Sequence, residues 1–324
     1  MENQQNNKDA ESQNTLGWER EVLEKLAMAA VTEQRTARRW SVFFKSLMFA
    51  YLLAIGFMAL YPKFEKGMGK GGEKFTAVVD VLGVIAEDEP ANAESIIEGL
   101  RNALKNEQTK GVILNINSPG GSPVQSAYIY TEIRRLKEKY PEIPIYAVVS
   151  DICASGGYYI AAAADKIYVN QSSMIGSIGV ALNGFGFVNT MEKLGVDRRL
   201  LISGKHKGLL DPFSPVNSKE TKHMQALLNE VHQDFINAVR VGRGDRLVET
   251  KEIFSGLVWT GAQGVKLGLA DGFGSIGTVA RDVIGTEKKR NFTPQERLLD
   301  KLASKLGASF GHALGTAVNG WSIQ

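Results

Sequence analysis

The sequence predicts a mostly parallel α/β domain carried behind one membrane-spanning helix. From Phe75 onward, short apolar strand-like runs alternate with helical stripes, the pattern of βαβ units. Before that, Trp40 to Tyr61 holds a single charge, Lys45. At about 1.5 Å per residue this run covers roughly 33 Å, enough to cross a bilayer core. A chain of 324 residues, 44% hydrophobic and 23% charged, is long enough to bury a full globular core as well.

The elements follow in order. Met1 to Thr15 is polar and rich in Asn and Gln, a composition that stays disordered. Leu16 to Arg39 sets Leu16, Val22, Leu23, Leu26 and Ala30 at near-helical spacing. Two readings fit it: an amphipathic helix on the membrane surface, or a self-association helix. In the span, Trp40 and Tyr61 sit at the two interfaces and Lys45 snorkels. The apolar run starts too late for a signal peptide, and Tyr61-Pro62-Lys63 is no small-residue cleavage site. Lys25, Arg35, Arg38, Arg39 and Lys45 precede it; Lys63, Lys66, Lys70 and Lys74 follow. That weak bias puts the N-terminus in the cytoplasm. The expected organisation is a segment 1–39, a transmembrane helix 40–61, a Gly/Lys linker 62–74, a main domain 75–285 and a C-terminal amphipathic segment 286–324.

Within the main domain, Ala77 to Ile85 reads as a strand, Asn92 to Lys105 as a helix and Gly111 to Asn115 as a strand. The turn Ser118-Pro119-Gly120-Gly121-Ser122 comes next, then a helix from Val124 to Tyr140 with Ile129, Ile133 and Leu136 on one side. Ile145 to Val149 is the next strand and Gly156 to Ala164 the next helix. A strand (Lys166 to Val169), a helix (Phe187 to Leu194) and a strand (Arg198 to Ile202) are expected after it. The long helix Lys219 to Val241 carries one stripe of Met224, Leu227, Leu228, Val231, Phe235 and Val239. Thr293-Pro294-Gln295-Glu296 has the pattern of a capping box, and Leu298, Leu299, Leu302, Leu306 and Phe310 stripe the helix expected after it.

Composition removes several functions. A net charge of +3 gives no electrostatic footprint for nucleic acid. The lone cysteine, Cys153, allows no internal disulfide and no Cys-based metal site. His206, His223, His232 and His312 lack metal-ligand spacing and read as structural. The 118–122 turn is no phosphate loop, because no Gly-Lys-Ser/Thr ends it. No metal and no cofactor are expected.

One hydroxyl stands out. In DICASGGYYIAAAAD, Ser155 falls where an apolar strand turns into a helix, with Ala154 before it and Gly156-Gly157 after it. It reads either as a helix N-cap or as a nucleophile whose small neighbours admit a carbonyl. A helix start adds free N–H groups and a positive partial charge. A nucleophile needs a base. With no histidine in a partner motif, a lysine with a desolvated amine is the substitute. Ser203-Gly204-Lys205-His206-Lys207-Gly208 places basic residues between glycines after an apolar run; a solvated basic loop fits it equally. The glycines of 118–122 can turn N–H groups toward a developing oxyanion.

Together NSPGGS, ASGGYYIA, GSIGV (Gly176 to Val180), SGKHK and the segment WTGAQGVKLGLAD (Trp259 to Asp271) resemble the signal peptide peptidase A family, in that order, over roughly Phe75 to Ile284. The single unit behind one span is similar to its short form. The resemblance implies a ClpP/crotonase-type fold, an α/β spiral of stacked sheets, and a membrane-bound Ser/Lys endopeptidase acting on remnant signal peptides. Ser155 matches the nucleophile, Lys207 the general base, and Ser177 the hydroxyl that orients the lysine. Gly121 and the N–H of Gly156 match the oxyanion donors. Ring- or dome-shaped homo-oligomers are implied, in which neighbouring protomers can complete the site. So is a bacterial inner-membrane location with the catalytic domain outside the cytoplasm. Lys205 is a second lysine beside the matched one, and Cys153 reads as a packing residue. Two other readings remain: a crotonase-like acyl-CoA enzyme and a non-catalytic oligomeric scaffold.

Overall fold

The computed structural model describes Met28, Gln34, Arg35, 38–57 and 72–294. The chain divides into two units, Met1–Gly72 and Glu73–Gln324. In the first, α1 (Arg38–Phe57) is 20 residues long with a mean hydropathy of 1.6. Among the described residues it is the one helix long and apolar enough to cross a membrane. Trp40 packs at its start against Phe43 (5.9 Å, edge-on) and Phe44 (5.7 Å, stacked). The expected disordered start, most of the Leu16–Arg39 helix, Tyr61, most of the Gly/Lys linker and the helix after Pro294 fall outside the described residues.

The second unit runs β1 (Phe75–Ile85), α2 (Ala93–Lys105), β2 (Thr109–Gly121), α3 (Pro123–Lys139), β3 (Ile145–Ala154), α4 (Gly156–Ala162), β4 (Lys166–Val169), β5 (Met174–Gly176), α5 (Val188–Leu194), α6 (Ser218–Arg243), β6 (Val258–Thr260), α7 (Gly261–Lys266), β7 (Gly272–Phe273), α8 (Ile276–Thr278) and β8 (Lys289–Asn291). The sheet is mixed but mainly parallel, in the order β6-β5-β3-β2-β1-β8, with β4 bridging β3 and β7. Among the described residues only the β5–β6 pair is antiparallel. The continuous apolar strands match burial on both faces. One face packs under α2, α3 and α4 around Val79, Leu114, Ile129 and Ile160; a smaller cluster of Ile113, Val148, Val279 and Ile284 covers the other.

β3 changes neighbours along its length. Tyr146–Val148 pair with β4, whereas Ile152–Ala154 pair with β5. The strand end that leads to Ser155 is thereby turned onto the short strand that leads to Ser177.

Sequence signals set most boundaries. Asn92 and Ser122 cap α2 and α3 by accepting from the N–H groups of Ser95 and Gln125. Three expectations fail or shift. The Ser118–Gly121 turn is strand, because Gly120 and Gly121 pair with Val84 and Ile85 across a register shift. No strand forms at Arg198–Ile202: among the described residues none ladders with the segment, and Leu201 is 98% exposed. The long helix is present as α6, but its apolar stripe is buried only in the second half, at Phe235 and Val239; Leu227 and Val231 are exposed. The buried Arg243 pins that second half by donating to the Gly268 carbonyl (2.8 Å) and Asp271 (2.8 Å).

Glu132 ties α2 to α3. Arg135 holds it with two bonds (2.8 and 2.7 Å) and Arg101 with one (2.8 Å). The Arg135 fork, outweighing desolvation and aided by Arg101, lowers the carboxyl from 4.5 to about 2. This stabilisation is complete above pH 4.5 and is lost as pH falls toward about 2. Acid titration of the unfolding free energy should therefore cost the native chain about 2 kcal/mol more than Glu132→Gln, the two arginines being half exposed.

Candidate active site

Ser155 sits between β3 and α4 with φ 51° and ψ −123°, a left-handed backbone for a residue with a Cβ. Such a conformation costs about 1–3 kcal/mol and persists only where its surroundings impose it. Here its N–H donates to the Gly176 carbonyl (2.8 Å), and its own carbonyl accepts from Tyr159 (2.9 Å). Its hydroxyl caps nothing: it makes no hydrogen bond to the first turn of α4. The N-cap reading of this serine is thus removed. Because α4 has only seven residues, individual N–H groups matter more here than a macrodipole.

Ser177 repeats the geometry one strand away. Ala154 and Gly176 are register partners on β3 and β5, so the two serines leave neighbouring strands at the same level. Both have φ 51°, and the Ser177 N–H is held by the Leu257 carbonyl (2.8 Å). Parallel neighbours lie about 4.8 Å apart, so these serines are adjacent.

The glycines are fixed by close approach. Gly120 has φ +100°, and a Cβ on it would stand 2.7 Å from the Ser155 Cβ and 2.8 Å from the Ala154 carbonyl. A Cβ on Gly121 would strike the Ile85 carbonyl at 2.2 Å. A Cβ on Gly156 would meet the Ser126 hydroxyl at 2.4 Å and the Gly121 nitrogen at 3.3 Å. The backbones of Gly121 and Gly156 therefore meet beside Ser155.

Gly121, Ser155, Gly156 and Ser177 line one cavity of about 470 Å³. Its other walls include Tyr159, Val180, Ala181, Val231 and Phe235. The Tyr159 ring stacks on Phe235 (4.9 Å) and meets Tyr130 edge-on (5.3 Å). Burial pushes the Tyr159 phenol up, so it stays a neutral wall. A larger groove of about 1270 Å³, near Ser150 and Ser275, contains neither a left-handed serine nor the Gly120–Gly121 pair; the motif residues Ser155 and Ser177 line the smaller cavity.

Lys207 is elsewhere. It is exposed, is not a wall of this cavity, and its backbone N–H closes a turn onto the Gly204 carbonyl (3.0 Å). Lys205 is exposed too, and His206 between them pairs with Glu220 (3.1 Å). Cys153 is buried and burial raises its thiol pKa, as suits packing. Among the described residues no three His, Cys, Asp or Glu side chains gather into a metal-holding group. The sequence does not single out Gly120, Tyr159 or Phe235; the first two lie inside quoted motifs, the third inside a helical stripe.

A mainly parallel α/β sheet with a left-handed serine at a strand-to-helix turn, backed by a Gly-Gly edge, has a ClpP-like architecture. Two family comparisons agree: Clp protease matches residues 80–176 and peptidase family S49 matches residues 137–289. A candidate protease of Synechocystis sp. is 33% identical over 202 residues, 62% of this chain and 70% of that one. The chain belongs to peptidase family S49. It is also 34% identical to a candidate signal peptide peptidase SppA of Enterococcus faecium, over 65% of this chain and 63% of that one. A Brucella abortus chain named Na(+)/H(+) antiporter NhaA is 39% identical over 213 residues, 65% of this chain but 29% of that one. The chain thus spans under a third of the Brucella relative and just under two thirds of the Enterococcus one.

Gly120→Ala should be costly, since neither the Ser155 Cβ nor the Ala154 carbonyl can yield. We expect a loss of about 2 kcal/mol or more in unfolding free energy. Labelling of Ser155 by a fluorophosphonate should fall at least about tenfold. Gly195→Ala, at φ +66° with open space around it, should cost about 1 kcal/mol and leave labelling unchanged.

Proposed function

We propose that this chain is a membrane-anchored serine endopeptidase whose nucleophile is Ser155 and whose base is Lys207 from a neighbouring copy. The observation that carries the reading is the left-handed Ser155, its hydroxyl capping nothing, packed on Gly120 with Ser177 alongside. The Ser155 hydroxyl attacks a peptide carbonyl as the neutral lysine amine takes its proton. The oxyanion rests on the N–H groups of Gly121 and Gly156. The leaving amine collects the proton from the lysine, and water then cleaves the acyl ester by the same base. Ser177 orients the amine.

The second copy is supported by what one chain leaves open. Between Ile178 and Phe235 no residue is buried, yet Phe185 (82%), Leu201 (98%) and Val216 (84%) are exposed there. An apolar surface of this kind marks a protein contact, and it carries Lys207. A homo-oligomeric ring that seats each arm over its neighbour's Ser155 satisfies both needs. The apolar wall of Tyr159, Val180, Val231 and Phe235 favours apolar peptides, of which cleaved signal peptides in or near the bilayer are the natural class. With 40–61 in a bacterial inner membrane and 1–39 in the cytoplasm, the domain that begins at 75 lies outside, beyond a 62–74 linker; it takes in β8 at Lys289–Asn291 from the 286–324 segment.

The full chain in detergent should hydrolyse a fluorogenic apolar peptide. Ser155→Ala and Lys207→Ala should each lower kcat about 10³-fold or more, and Ser177→Ala about 10- to 100-fold. Co-assembly of Ser155→Ala with Lys207→Ala should restore about a quarter of wild-type activity, because random pairing rebuilds that share of sites. A dead mixture would place the base within one chain. An active Lys207→Ala would move it to another residue, Lys205 first.

A further inference from the structure

Ser118 is fully buried and uses its hydroxyl twice. The hydroxyl donates to the Gly83 carbonyl (2.6 Å) and accepts from the Gly120 N–H (3.1 Å). Both partners are left-handed glycines, Gly83 at φ +83° and Gly120 at φ +100°. They lie where the β1–β2 register slips: Leu82 pairs with Asn117, but Val84 pairs with Gly120. A slipped register leaves backbone groups without ladder partners, and buried ones must find others. A hydroxyl can donate and accept at once, which suits this gap. Ser118 also reaches the other side of the site. Its carbonyl and Cβ stand 3.1 and 3.4 Å from where a Cβ on Gly157 would be.

We propose that Ser118 is a positioning residue for the oxyanion hole, its hydroxyl locking the Gly120–Gly121 backbone while its main chain backs the Gly156–Gly157 turn. The inference rests on the reading of Gly121 and Gly156 as oxyanion donors. Ser118 touches no reacting atom. It sets the direction of N–H groups that are used only when the carbonyl becomes tetrahedral, so its loss should appear in kcat and not in KM.

The test uses the full chain and three variants: Ser118→Ala, Ser118→Cys, and Thr109→Val. Thr109 is a buried hydroxyl that donates to the Ala103 carbonyl (2.6 Å), outside the set of cavity-lining residues. Ser118→Ala should lower kcat about 30-fold with KM within about twofold, Ser118→Cys should fall between, and Thr109→Val should keep wild-type kcat. Amide exchange over 117–122 should quicken about tenfold or more in Ser118→Ala and stay unchanged in Thr109→Val. If Ser118→Ala fails to fold, or loses activity only as far as Thr109→Val does, the hydroxyl is merely structural and the proposal falls. Unchanged exchange over 117–122 overturns it as well. If the wild-type chain hydrolyses no peptide, the peptidase reading fails by itself, and the exchange comparison still decides whether Ser118 holds the turn.

Discussion

The pairing of Ala154 with Gly176 governs this molecule. Two parallel strands end level with one another, and each throws its next residue, a serine, into the same left-handed conformation. Neither serine would adopt it alone at about 1–3 kcal/mol each. The bond from the Ser155 N–H to the Gly176 carbonyl joins the two bends, so that each helps to fix the other. Gly120 completes the constraint from beneath, close enough that a single carbon would displace Ser155. The strain is local, and the whole sheet holds it.

That sheet explains the run of small residues after Ser155. α4 lies against the sheet with Ile160, Ala161 and Ala162 fully buried. α6 crosses it so closely that a Cβ on Gly242 would meet the Ala162 carbonyl at 2.0 Å. Larger side chains in α4 would push α6 away, and α6 supplies Val231 and Phe235 to the cavity. Arg243 secures the contact from the far end of α6 through Asp271, which also accepts from the Ile167 N–H. One acidic side chain thereby links the helix that walls the site to β4.

The alternation of strands and helices was readable because the central parallel strands β1, β2 and β3 carry apolar runs and the longer helices carry caps: Asn92, Ser122 and Asn217 all accept from the turn they begin. Ser155, Ser177, Gly121 and Gly156 were readable as motif residues, and the structure brings these four to one cavity. What the sequence concealed depends on pairing. Ser118–Gly121 looks like a turn until β1 supplies a partner for it. Arg198–Ile202 looks like a strand because Leu200, Leu201 and Ile202 form a short apolar run, but among the described residues no strand pairs with it. The Met224–Val239 stripe is continuous in sequence and buried only in part, since periodicity records a face without recording what covers it.

Those last two departures share one cause. The exposed half of α6 and the arm before it both face solvent, and among them Val180, Ala181 and Val231 line the cavity that holds Ser155. If a second copy covers them, the apolar pattern of the sequence was correct and only its partner lies outside the single chain. Under the proposed reading this also separates the nucleophile from its base until chains assemble. A lone chain would present Ser155 with oxyanion donors but with no lysine amine. A membrane anchor confines copies to a plane and so raises their effective concentration, favouring assembly where apolar peptides are released. The exposed lysine, the bare apolar arm and the anchor then answer a single requirement: that the peptidase be complete only at the membrane.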